Sequence, residues 1–328
     1  ALNDSGYAKL IVNGGTIKAS YAAISGNGSF GSGTSTDIVV KDGVLEGGVT
    51  AVYHPQNGNI IVEGGSFKGN DSAIEIRAGR MTIDGGTFTA NATKYSCTAN
   101  GNGTTTIGAS IAVAQHNTKL PIDVVINGAS ILTGVYDLSV TNPQGNSKDA
   151  ISEVKVTINK ETENLYVSTD FIREGNVIRA KTTEEDSKYV ACLSDGFNFT
   201  SLKDAVDAVT DSGYITLLQD VEDGDGILIP VGNRSITVDF NDKLYVVTKN
   251  FAEKKYQENR AFKLGKGNAV TFKNGRISST SKWAVLIENF ANLTLYDIVL
   301  DGSEIFATSS LLCKYGITQI CLLYTSDA

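Results

Sequence analysis

The chain reads as an all-β protein of the parallel β-helix kind, in which short strands stack repeat upon repeat. Three observations predict this. One phrase recurs, as LIVNGGTIKA at Leu10–Ala19, DIVVKDGVLEG at Asp37–Gly47, NIIVEGGSFKG at Asn59–Gly69 and RMTIDGGTFTA at Arg80–Ala90. Its copies stand close to evenly: aligned on Gly15, Gly43, Gly65, Gly86, Ala109 and Ala129, the steps are 28, 22, 21, 23 and 20 residues. Such a period marks a stacked repeat architecture. Inside each copy apolar and polar residues alternate, which is the pattern of a half-buried strand.

The elements follow in order. Met81 and Ile83 share one face and Thr82 and Asp84 the other; Ile60/Val62, Ile38/Val40 and Leu10/Val12 repeat the pattern. The Gly pair breaks the strand, because Gly takes backbone angles that other residues avoid. A second strand follows, with its apolar residue at Ile17, Leu45, Phe67 and Phe88. A third comes later, as at Thr50–Tyr53 or Ser72–Ile76. Two or three short strands per repeat cannot bury an apolar face alone, and stacking at about 4.8 Å closes a continuous core. Looser copies are read at Thr105–Val113, Asp123–Gly134, Ala269–Ser279 and Asn292–Gly302, and Lys94–Thr104 is read as a loop enlarging one coil. A leucine-rich repeat lacks support, since its Leu-x-x-Leu-x-Leu pattern is missing; a β-sandwich would not repeat one phrase.

The predicted organisation has four parts: a β-helix over 1–150, a β connector over 151–187, a second β-helical unit over 188–308 and a doubtful tail over 309–328. In the connector Gly thins out and short strands alternate with charged turns; its alternative reading is a small β unit that closes the first stack. The second unit opens with a strand at Lys188–Leu193 and a helix at Thr200–Val209. Ser201 with Asp204 gives that helix a start resembling a capping box. Leu202, Ala205, Val206 and Val209 form its apolar stripe, which suits a cap over an open end of the stack. Coils are then read at Ile215/Leu217, Ile236/Val238, Val270/Phe272 and Leu293/Leu295, with an excursion near Val247–Arg260.

Composition narrows the function classes. The chain has 328 residues, 34 Gly, 4 Pro and a net charge of -8, with no basic stripe through the repeats. This argues against nucleic acid as a partner. No apolar run reaches the roughly 18 residues of a membrane span. The chain begins at Ala1 without Met, and is read as a fragment whose export signal and anchor lie outside it. Cys97, Cys192, Cys313 and Cys321 show no Cys-x-x-Cys spacing, which disfavours a structural zinc site.

The run from Tyr189 through FTSLKDAVDAVTDSGYITLLQDV to RSITVDFNDKLYVV resembles a module of secreted, cell-surface β-helix proteins of gut Firmicutes. Residues 10–135 resemble the right-handed parallel β-helix repeat of the pectate-lyase-like superfamily. The resemblance implies a right-handed solenoid and an extracellular or bacterial cell-surface place. It does not imply one activity, because the superfamily spans polysaccharide lyases, glycoside hydrolases, adhesins and passive stalks. Its enzyme signatures are missing here: no Asp-Asp pair, no Gly-His-Gly and no Trp-Ile-Asp-His. The last eight residues, CLLYTSDA, resemble translated sequencing-adapter read-through of metagenomic assemblies, so no function is read from about Ser309 onward.

Candidate residues remain, each with a plainer reading beside it. Asn13, Lys41, Glu63, Asp84, Ile107 and Asn127 are expected to stack after the first strand. Glu63 and Asp84 would then stand one coil apart, close enough to share a proton or hold Ca2+ through oxygen ligands, with Arg77 or Arg80 as a nearby cation. Glu63, Asp84 and Arg77 are thus the catalytic candidates if the chain is an enzyme; the plainer reading is a polar turn edge. His54 and His116 read as structural turn residues. The acidic Asp220–Gly226 stretch lacks EF-hand spacing and reads as a solvated turn. The excursion carries Lys254, Lys255, Tyr256 and Arg260, cations and an aromatic suited to gripping a polysaccharide or host-surface glycan; the plainer reading is a solvated loop with Phe262 in the core. The reading that leads is a non-catalytic secreted or surface module, adhesive or a spacer, with a carbohydrate-active enzyme as the alternative and no cofactor apart from that calcium option.

Overall fold

The computed structural model describes residues 6–27, 34–129, 131–160, 162–249, 251–252, 259–280, 284–302, 311–313 and 318–321. The fold is all-β with parallel sheets. The chain divides into two compact units, Ala1–Thr182 and Thr183–Ala328.

In the first unit, five successive repeats contribute one strand to each of three sheets, and a sixth adds a strand to the first and third. The first sheet sets Gly6–Val12, Thr34–Val40, Asn59–Val62, Gly79–Ile83, Ile122–Ile126 and Val154–Ile158 side by side in parallel. It ends in the antiparallel strands Val177–Ala180 and Phe171–Glu174. The second sheet stacks Thr16–Ala19, Val44–Gly47, Ser66–Gly69, Thr87–Ala90 and Ile131–Thr133. The third stacks Ala22–Ser25, Thr50–His54, Ser72–Ile76, Ala109–Ala114, Tyr136–Thr141 and Leu165–Val167. The strands at 154–158, 165–167 and 171–180, read as a connector, join the end of the first unit's sheets.

The alternation decides what is buried. Ile38, Ile60, Met81, Val124 and Val156 pair in register and are buried, as are Val40, Val62, Ile83 and Ile126 beside them. In the second sheet Leu45, Phe67 and Phe88 align, and the two phenyl rings stack at 4.9 Å with an interplanar angle of 11°. Each buried Phe contributes about 2–3 kcal/mol of apolar transfer. The Gly pairs are required by geometry: Gly65 and Gly86 have φ of 97° and 105°, and a Cβ on Gly85 would lie 2.6 Å from the carbonyl oxygen of Glu63 one repeat back.

One expected copy is out of phase. Thr106–Ile107 pairs antiparallel with Ser96–Cys97, and Ala109–Ala114 belongs to the third sheet. Met81 therefore pairs with Val124, 43 residues on, within one enlarged repeat. Ala109 is not an equivalent of Gly86, and Ile107 does not stack between Asp84 and Asn127.

In the second unit Ser212–Leu217, Ser235–Lys249, Ala269–Ser279, Asn292–Asp301 and Thr318–Cys321 pair in parallel. Ile227–Ile229, Asn259–Leu264, Ala284–Asn289 and Leu311–Cys313 form a second parallel sheet. Ile215 pairs with Val238 rather than Ile236, two residues off the expected alignment but on the same face. The long strands bend at Asn241, Asp242, Asn274 and Asp297, all with φ near +50°, where short polar side chains tolerate the left-handed region. Two strands fall inside the tail set aside from Ser309 onward, and both continue existing sheets.

The expected helix runs Leu202–Ala208, with Ser201 as N-cap accepting from the Asp204 backbone N–H at 3.0 Å. Leu202, Ala205 and Val206 are buried in the second core. A further helix occupies Thr183–Lys188, where a strand had been expected to begin at Lys188; the strand starts at Ala191. Three acidic residues in its first turn complement the positive end of the helix dipole.

Candidate functional site

The expected ladder of turn-edge residues is present apart from Ile107. The backbone N–H groups of Lys41, Glu63, Asp84, Asn127 and Asn159 each donate to the carbonyl of the residue preceding the equivalent position one repeat back. Glu63 and Asp84 are therefore neighbours in the stack, and both are exposed. The Asp84 carboxylate is bound from the other side: Asn127 Nδ2 donates to its Oδ1 at 2.8 Å, Asn159 to Asn127 at 2.7 Å, and Asn176 to Asn159 at 3.0 Å. The carboxylates thus belong to an open polar ladder along one edge.

Arg77 is not beside them. It follows the third-sheet strand Ser72–Ile76 and is fully buried. Its Nη1 donates to the Gly103 carbonyl at 2.6 Å and to Tyr53 Oη at 3.2 Å; its Nη2 donates to the Asn100 carbonyl at 2.7 Å. Glu75, also fully buried, accepts from the Thr105 backbone N–H at 2.7 Å, the Thr105 hydroxyl at 2.6 Å and the Thr106 N–H at 3.2 Å. Burial pushes the Glu75 pKa up, against the pull of those donors and of Arg77. The loop that enlarges the repeat is thus folded onto the third sheet and held by side chains from it. His116 Nε2, 2.8 Å from the Gly101 carbonyl, and Gln144, donating to Asn100, complete the hold. Arg77 is a fastening of this loop, which corrects its place among the catalytic candidates.

His54 is a core residue rather than a turn residue. It pairs in register with Ile76 and is fully buried, and neither ring nitrogen has a hydrogen-bond partner among the described residues. Burial pushes its pKa down to about 4, so it is neutral at pH 7.

The glycan-binding candidates divide. Lys254, Lys255 and Tyr256 lie outside the described residues. Arg260 is described, and is buried: its Nε lies 2.8 Å from Glu288 Oε2, with both side chains about 2% exposed. A side chain sealed in an ion pair cannot meet a glycan, which corrects its assignment. Phe262 packs in the core, and Asp223 in the acidic stretch pairs with Lys249 at 2.9 Å.

Sequence reasoning missed a groove of about 550 Å³ along the N-terminal ends of the first-sheet strands. Asn57, Arg80, Pro121, Asp123, Glu153 and Lys155 line it. Arg80, Asp123 and Lys155 stand in one register row, so the signal lay in the second residue of these first-sheet strands. Among the described residues no group of three or more His, Cys, Asp or Glu side chains is arranged to hold a metal ion, and no helix is long and apolar enough to cross a membrane. No protein-family model, no curated protein and no solved structure matches the chain.

Proposed function

We propose that both units are parallel β-helices, the first right-handed as its repeats suggest, and that the chain is a non-catalytic surface module which presents a glycan-binding face or acts as a spacer. The observation that carries this reading is the separation of the candidate groups. Glu63 and Asp84 stand on an open ladder in contact with bulk water, whereas Arg77 is spent on fastening a loop elsewhere. A carboxylate in contact with bulk water gains little electrostatic leverage over a bound substrate. The parallel register supports the architecture, since five successive repeats each return to all three sheets of the first unit. A secreted or cell-surface setting suits such a module and remains part of the proposal.

The test is the chain length of acidic and neutral polysaccharides after incubation with the protein, with and without Ca2+, alongside retention of the protein on the same polymers when immobilised. Retention with unchanged chain length supports the module. Shortened chains whose shortening is abolished by Glu63→Gln or Asp84→Asn would replace it with the enzyme reading.

A further inference from the structure

The groove on the first sheet carries charges that the protein leaves unused. Arg80 pairs in register with Asp123, and Asp123 with Lys155. All three side chains are exposed, and none makes a hydrogen bond or ion pair among the described residues. Elsewhere in the same unit the identical one-strand offset does produce a bond: Lys18 and Glu46, also register partners, meet at 2.6 Å. Glu153 and Asn57, on the groove wall, are likewise uncommitted through their side chains.

The three charges stand at even intervals. Neighbouring strands lie about 4.8 Å apart, so Arg80 and Lys155 stand roughly 9.6 Å apart with Asp123 between them. The strand spacing is close to the length of one pyranose unit in an extended chain. A linear saccharide lying along the groove would set successive units over successive strands. Its first and third units would meet cations, and its second a carboxylate. An acidic group on alternate units is therefore attracted twice. An acidic group on every unit places one charge against Asp123, and a like-charge contact of this kind is a device for rejecting the wrong ligand.

We infer that this groove binds acidic glycans whose negative charge falls on alternate sugar units, and discriminates against glycans charged on every unit. The inference rests on the glycan-binding reading above and adds the charge pattern of the ligand and the residues that select it. Arg80 and Lys155 hold the two acidic units. Asp123 accepts hydroxyl or amide N–H donors from the neutral unit between them. Groove charges are exposed, so binding weakens as salt screens them.

The experiment is titration calorimetry of the whole chain at low and physiological salt with three hexasaccharides: one from hyaluronan, acidic on alternate units; one from polygalacturonate, acidic on every unit; and cellohexaose, uncharged. Hyaluronan is expected to bind at least fivefold more tightly than either other. Arg80→Gln and Lys155→Gln should each weaken hyaluronan about two- to fivefold. Asp123→Asn should narrow the gap between hyaluronan and polygalacturonate by improving the latter. Equal or tighter binding of polygalacturonate by the unaltered protein overturns the inference, as does binding that none of the three substitutions changes. In that second case the glycan-binding reading survives at another surface. Absence of binding to all three hexasaccharides overturns the inference, and the glycan-binding reading then depends on the wider polymer panel described above.

Discussion

Replacing His54 by isoleucine should stabilise the first unit, and by an amount that grows as the solution is acidified. His54 occupies an interior position whose register partner is Ile76, and isoleucine is close to histidine in volume. The native imidazole takes up a proton only near pH 4, against 6.5 for an unperturbed histidine. Between these values the unfolded chain binds a proton that the native chain refuses, so native stability is full above 6.5 and falls as pH drops through 6.5 toward 4. The whole window, about 2.5 pH units at 1.36 kcal/mol each, amounts to roughly 3 kcal/mol, of which about 2 kcal/mol is lost by pH 5. Two unpartnered buried nitrogens add a penalty that does not depend on pH. The assay is native-state hydrogen exchange of peptides within 50–76, comparing the two proteins at the same pH so that intrinsic exchange and the opposing contribution of Glu75 cancel. Peptides within 235–249 serve as the internal control. A stability difference that is the same at pH 7 and pH 5, or a His54 resonance titrating near 6.5, would refute the reasoning.

Four further outcomes follow from contacts described above. Arg77→Met should cost about 3–5 kcal/mol by leaving Glu75 buried without its cation, and should open residues 98–106 to limited proteolysis; the double variant with Glu75→Gln should recover part of the loss in a thermodynamic cycle. Arg260→Ala should destabilise the second unit by a similar amount, seen as a lower urea midpoint. Phe67→Ala should cost about 3–5 kcal/mol by emptying the stacked pair, read by chemical denaturation. Ser201→Ala should cost about 1 kcal/mol through loss of the bond to the Asp204 N–H, and circular dichroism should show the sheets unchanged.

The regular part of the stack was legible because period and burial coincide: Leu45, Phe67 and Phe88 can be aligned by eye, and they do pair. Ile107 misled because a Gly followed by alternating Ile and Val describes a third-sheet strand as well as a first-sheet one. Only the long excursion before it distinguishes the two. Arg77 and Arg260 misled for another reason. Each looks like a cation available to a ligand, and its burial is decided by residues about 25 positions away, Asn100 and Gly103 for one and Glu288 for the other. His54 follows a tyrosine and precedes a proline, which reads as a turn; the pairing of Thr50–His54 with Ser72–Ile76 puts it on the inner face instead. The row Arg80, Asp123 and Lys155 was hidden because the enlarged repeat separates Arg80 from Asp123 by 43 residues while leaving them register partners.

That enlarged repeat has a consequence for how the first unit can change over time. Neighbouring strands are set by backbone pairing, and the residues between them do not enter the spacing. Twenty-one residues bring Ile60 to Met81 and forty-three bring Met81 to Val124, yet each is a single step of the stack. The unit is therefore a ruler graduated in repeats rather than in residues. Insertions at a corner lengthen the chain without moving any mark, and a decoration can be gained, remodelled or lost while everything displayed at fixed intervals along the sheet stays where it was.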